Sequence, residues 1–229
     1  LGGKSPQLFF EDANLESALP FLVNAGIQNG GQTCSASSRI LVHRSRHNEV
    51  VDHMSQKYKD LIVRPAINDG ALGPLISERQ KSIVEDFISK GQKLNLVAQG
   101  EIDSSAPTKG HYVAPHLFAD VPEDHILAKD EIFGPVQVIM PFDTEEEAIS
   151  IANGTDYGLV ASIWTNDGAR QMRLVKKLKS GQVFINNYGA GGGVELPFGG
   201  RGFSGHGREK GFEALYGFST LKTVASYHQ

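Results

Sequence analysis

Cys34 is the only cysteine among 229 residues, and it sits in GGQTCSASS (30–38), where glycines lead in and small hydroxyl side chains follow. A thiolate is a strong nucleophile at neutral pH, and attack on a carbonyl carbon needs an uncrowded sulfur beside oriented N–H donors. Gly30-Gly31 reads as a tight turn, and Thr33 and Ser35 leave room beside the sulfur. SASSR reads as the start of a helical turn whose free N–H groups favour a thiolate. On residue chemistry alone three roles stay open: a buried small apolar side chain, a redox-sensing thiol, and a nucleophile. A Cys–His hydrolase also stays open on composition, although none of the eight histidines sits in a recognisable local signature. Metal binding is disfavoured. His43-x-x-x-His47 has a zinc-like spacing, but there is no cysteine pair, and the alternation through 39–47 makes both histidines strand-end surface residues.

The elements that must hold Cys34 in place alternate between two periods. QLFFEDA (7–13) reads as a strand, followed by Leu15, Ala18, Leu19, Leu22 and Val23 at helical spacing, with Asp12 or Asn14 as N-cap. Pro20 belongs near the first turn of that helix or bends it. RILVHRS (39–45) predicts a strand, and 46–63 an amphipathic helix. Ser77-x-x-Gln80 and Asp143-x-x-Glu146 read as capping boxes opening helices over 77–91 and 143–153. LNLVAQG and the Pro-interrupted 112–119 predict short strands, as do PVQVIMPF, LVASIWT and GQVFIN, with a helix over 167–179 between the last two. Alternating strands and helices imply an α/β fold with a mainly parallel open sheet covered by helices on both faces. The terminal LKTVASYH is a candidate strand that needs a sheet to join, and that sheet could lie in another subunit.

The composition bounds the function. With 40% apolar residues, 21% charged residues and a net charge of -4, nothing favours nucleic acid or an anionic membrane as partner. No apolar run approaches the roughly 20 residues of a membrane span. A lone cysteine forms no internal disulfide, and no signal peptide is visible, so a cytoplasmic location is expected.

Four stretches resemble the catalytic half of the NAD(P)-dependent aldehyde dehydrogenases. LGGKSP (1–6) is similar to the latter part of that family's E-L-G-G-K motif, and GQTC (31–34) resembles its nucleophile motif at the family's spacing. EIFGPV (131–136) resembles its nicotinamide-ribose segment, and PFGGRGFSGHGREKG (197–211) its closing segment. The resemblance implies that Cys34 attacks the aldehyde carbonyl while its own backbone N–H meets the oxyanion. It implies that Glu131 binds the nicotinamide ribose, that Phe133 packs against the nicotinamide, and that Thr33, Ser35, Asn187 and Phe198 line the substrate. Glu209 matches a second carboxylate near the hydrolytic water, although a helix first-turn acid explains it equally well. NAD or NADP is the implied cofactor, an aldehyde the substrate, and a homodimer or homotetramer the assembly.

Two departures qualify the resemblance. The family's general-base Glu precedes the Leu of L-G-G-K, and its Rossmann-type dinucleotide domain also lies upstream. The Gly-rich strings in this sequence do not follow a strand and open a helix as that fingerprint requires. The expected organisation is therefore a catalytic domain over 1–220 and an oligomerisation strand over 221–229, belonging to a longer enzyme. A non-catalytic module and a CoA-acylating relative are the alternatives. The second departure is GAGGG (189–193), where many relatives carry an aromatic side chain and the glycines here leave the loop wide, mobile or both.

Overall fold

The computed structural model describes residues 2–189 and 193–228. The chain runs β1 (Pro6–Phe9), α1 (Leu15–Ile27), β2 (Arg39–His43), α2 (His47–Lys59), β3 (Ile62–Val63), α3 (Glu78–Lys90), β4 (Asn95–Gln99) and β5 (Glu101–Ile102). It continues through β6 (His116–Ala119), α4 (Ile126–Lys129), β7 (Val136–Phe142), α5 (Glu145–Asn153), β8 (Val160–Trp164), α6 (Gly168–Lys177), β9 (Gln182–Ile185) and α7 (Ala214–Gly217). Seven strands form one sheet in the order β4-β6-β7-β2-β1-β8-β9. Every neighbouring pair is parallel except β4 with β6. The expected α/β fold with a mainly parallel sheet is the one observed.

The central strands are apolar at successive residues because both faces are covered. Side chains alternate across a strand, so Leu8, Leu41, Val138 and Met140 enter one core with Val84 of α3, Ile151 of α5 and Leu174 of α6. Their neighbours Phe9, Ile40, Val42 and Ile139 enter the other core, with Leu22 of α1 and Val50 and Met54 of α2. Each side chain of this kind contributes about 1.5–3 kcal/mol on full burial. A one-residue slip of β2 would send Ile40, Leu41 and Val42 each to the wrong core.

The local rules hold with three differences. Asn14 caps α1 by accepting from Ser17 N–H at 2.9 Å, and α1 runs through Pro20, which lies on its exposed face. Ser77 caps α3 as its spacing predicts, but the Gln80 amide turns away from the cap. The cap of α5 is Thr144, one residue beyond the expected Asp143, because the Asp143 carboxylate is held by Arg44 at 2.5 Å. The helix expected over 46–63 ends at Lys59, and Ile62–Val63, read as its last turn, instead form β3 and pair with β5, since two residues are too few to show a period of their own.

The expected terminal strand is not formed within this one chain. Residues 218–228 form no strand and are exposed, and Gln229 lies outside the described residues. A strand exists only with an edge to pair with, and nothing within the described chain supplies one to this segment.

Candidate active site

Parallel pairing decides where the site forms. β7, β2 and β1 are consecutive neighbours at the middle of the sheet, so the segments leading into them meet at one end. Those segments carry Glu131 to Gly134, Cys34 and Gly3. Dinucleotides in open α/β sheets bind at the opposite, carboxyl ends of the strands; this cluster sits at the amino ends.

The segments touch backbone to backbone, and glycine makes that approach feasible. A Cβ on Gly3 would overlap the Cys34 carbonyl oxygen, and one on Gly31 would overlap the Gly134 carbonyl oxygen. Gly31 also has φ +75°, a left-handed conformation that side chains resist. The first segment is joined to the third by Gly3 N–H, which donates to Glu131 Oε1 at 2.9 Å. The closing segment is fixed to the first through Ser204, whose hydroxyl donates to the Gly2 carbonyl at 2.6 Å and accepts from Gly158 N–H at 3.1 Å. Thus all four motif stretches converge.

Cys34 lies in a turn rather than at a helix start. Ala36 N–H donates to the Thr33 carbonyl at 3.0 Å, and the chain then enters β2 without a helical turn. Thr33 and Ser35 flank the half-buried Cys34, their hydroxyls 3.5 Å apart. The far end of the turn is anchored twice: Ser37 N–H donates to the Ala25 carbonyl of α1 at 2.9 Å, and the buried Gln137 amide of β7 donates to the Ser37 carbonyl. Gln137 accepts in turn from the buried Tyr58 hydroxyl.

The electrostatics reverse one expectation. Burial pushes the Cys34 thiol up rather than down, and the nearby Glu131 and Glu209 carboxylates add to that, against the backbone N–H groups of Cys34 and Ser35. Glu131 is half-buried, and burial raises its carboxyl above the usual range despite the Gly3 N–H and the Lys4 ammonium. Phe133 is held in the left-handed region at φ +55° with its ring partly exposed. The Gln80 amide fixes that loop, donating to the carbonyls of Ile132 at 3.2 Å and Phe133 at 2.9 Å. Asn29, Asn186 and Lys210 share the left-handed conformation in neighbouring loops, as do Asp69 and Asp120 elsewhere in the chain.

The remaining expected residues divide. Glu209 lies outside any helix, since α7 starts at Ala214; it pairs antiparallel with Phe198, Phe198 N–H donating to its carbonyl at 2.7 Å. That removes the helix first-turn explanation. Phe198 is half-buried, with the Lys210 ammonium 5.9 Å from its ring centroid. Asn187 is exposed; its carbonyl accepts from Ser162 and its side-chain oxygen from Tyr188 N–H. Of GAGGG, residues 190–192 lie outside the described residues. His43 ends β2 and meets Ser45, whereas His47, expected at a strand end on the surface, is the buried first residue of α2 and lies 3.5 Å from Asp120. Among the described residues no cluster of metal-ligating side chains forms.

Tyr188 is the residue that local reading missed. Its hydroxyl donates to the Ser35 carbonyl, across 153 positions, and burial raises the phenol so that it stays neutral. It closes one side of an open cavity of about 700 Å³ that runs from Ser35 along α1 past Phe21, Asn24 and Gln28. A larger cavity of about 990 Å³ between α1 and α2 contains no nucleophile and none of the motif residues.

Comparison with known proteins agrees with this geometry. The chain matches the aldehyde dehydrogenase family over residues 1–224. It is 37% identical over 227 residues to betaine aldehyde dehydrogenase of Sinorhizobium fredii, covering 98% of this chain and 46% of that protein. Among solved structures it superposes on a Burkholderia cenocepacia protein with a TM-score of 0.96 and 57% identity, covering 98% of this chain and 48% of that one. The NAD+ complex of aldehyde dehydrogenase from Bacillus cereus gives 0.88 and 40%, covering 94% of this chain and 44% of that one. The chain spans about half the length of the curated relatives it matches. With the four motif stretches packed around one thiol, and a match over nearly its whole length, this chain belongs to the aldehyde dehydrogenase family.

Proposed function

We propose that this chain carries the nucleophile-bearing half of a longer NAD(P)-dependent enzyme that oxidises an aldehyde to a carboxylic acid. The observation that supports it best is the contact of three motifs at adjacent strand starts: Gly3 on Cys34, Gly31 on Gly134, and Gly3 N–H on Glu131. Cys34 Sγ, as thiolate, attacks the carbonyl carbon and forms a thiohemiacetal. The Cys34 backbone N–H stabilises the oxyanion. Collapse of that adduct expels hydride and leaves a thioester on Cys34, which water hydrolyses to the acid.

A nicotinamide cofactor supplies the hydride acceptor. The residues present suit its ribose end: Glu131 offers a half-buried carboxylate already oriented by Gly3, and Phe133 offers a ring presented by a strained loop. Glu131 would hold the ribose and Phe133 the ring, leaving the dinucleotide-binding domain to the upstream half. Relatives of known structure bind NAD+, including the betaine aldehyde dehydrogenase of Staphylococcus aureus. Thr33, Ser35 and Phe198 border the aldehyde, and Glu209, near enough to act on the thiol, is the second carboxylate along the water's path. The exposed 221–228 tail, with Leu221, Val224 and Tyr227, is the segment for joining another subunit.

In a full-length protein containing this chain, Cys34→Ala should lower aldehyde oxidation by about three orders of magnitude or more, with NAD binding near normal. Retention of a tenth of the wild-type rate would overturn the assignment.

A further inference from the structure

Lys4 is the buried group that the mechanism above does not use. It is 2% exposed, and among the described residues its ammonium has no hydrogen-bond partner. The buried Arg39 beside it differs, since its guanidinium donates to the carbonyls of Lys4, Ile151 and Ala152, each at 2.8 Å. Arg39 is a strut. Burying an amine without a hydrogen bond costs more than an apolar side chain of the same length would.

Its position suggests what it serves. Lys4 directly follows Gly3, whose N–H holds Glu131. The groups that act on it are Arg39 from β2 and Asp130 and Glu131 from the loop between α4 and β7. A small cavity of about 10 Å³ adjoins it, bordered by Arg39, Tyr157 and Ser180, with room for one water to exchange its proton.

We propose that Lys4 is a positioning residue for Glu131: protonated, it keeps that carboxylate ionised and drawn onto Gly3 N–H, and deprotonated it lets the carboxylate go. Burial first, and Arg39 second, push the Lys4 amine down to about 7, against the two carboxylates. The charged form therefore prevails below that pH, and the attraction is lost as pH rises through it. The inference rests on Glu131 being the ribose-binding carboxylate.

The test is the KM for NAD of the full-length enzyme, measured from about pH 6 to 8.5, in wild type, Lys4→Met and Glu131→Gln. The attraction between partly buried charges predicts that wild-type KM rises about three- to tenfold across this range. Lys4→Met should show the high value throughout, with no step, and with a melting temperature equal to or above wild type. Lys4→Arg, if it folds, should keep the low value throughout. A wild-type-like step in folded Lys4→Met, with Glu131→Gln impaired, would overturn the role of Lys4 and leave Glu131 in place. NAD kinetics unchanged in Glu131→Gln would overturn the ribose assignment, and this inference with it.

Discussion

At the residue scale, the site joins one thiol to two carboxylates, and that pairing has a cost. Near-neutral attack needs a thiolate, yet burial, Glu131 and Glu209 all favour the protonated thiol. Because the Cys34 pKa is raised, its alkylation by iodoacetamide should stay slow at neutral pH and accelerate only as pH passes the ordinary thiol range. Removing one carboxylate reverses part of this. Glu131→Gln should shift the alkylation profile of the full-length protein to lower pH. The same variant should lower kcat and enlarge the isotope effect with deuterated aldehyde, because a misplaced nicotinamide slows hydride transfer. An unchanged alkylation profile and isotope effect would limit Glu131 to its structural hydrogen bond with Gly3 N–H. Cys34, Glu131 and Phe133 were legible in the sequence because their motifs are strings of adjacent residues. Tyr188 and Gln80 were not. Each acts on a backbone carbonyl that only tertiary packing brings near, Tyr188 on Ser35 and Gln80 on Phe133, and a side chain's reach across 153 positions leaves no local trace.

At the element scale, the site depends on how closely three strand entries approach. The strands themselves were legible because their apolar runs are long and their bounding turns contain Gly, Pro or Asn. The turn at Cys34 was misread as a helix start, since small hydroxyl residues favour helix caps and tight turns alike. The glycines were legible as turn signals, but not as contact points. Gly3→Ala places a methyl against the Cys34 carbonyl, so the strand entries must separate. Overpacking of this kind costs about 1–3 kcal/mol, which for a domain of this size lowers the melting temperature by about 2–4 °C per kcal/mol. Activity should fall further than stability, because Cys34 and Glu131 both move. A Gly3→Ala variant with wild-type melting temperature and kcat would show that the contact does not govern the site.

At the scale of the whole molecule, the sheet order was beyond the sequence, since nothing in β7, β2 and β1 announces that they are neighbours. Yet that order is what makes a site of residues near positions 3, 34 and 131. The sheet carries two full cores, so the 229 residues alone should melt cooperatively. They should form no NADH from any aldehyde, because the sequence holds no Rossmann fingerprint. NADH formation by a preparation of verified mass would refute that division of labour. If Cys34 carries the acyl group, rapid-quench mass spectrometry of the full-length protein will find it there. Mixed with NAD and an aldehyde of known mass and quenched in acid within the first turnover, the peptide bearing Cys34 should gain the mass of the acyl group, and hydroxylamine should remove it. NADH released in that turnover with Cys34 unlabelled, or the label on another residue, would rule out Cys34 as the acyl carrier.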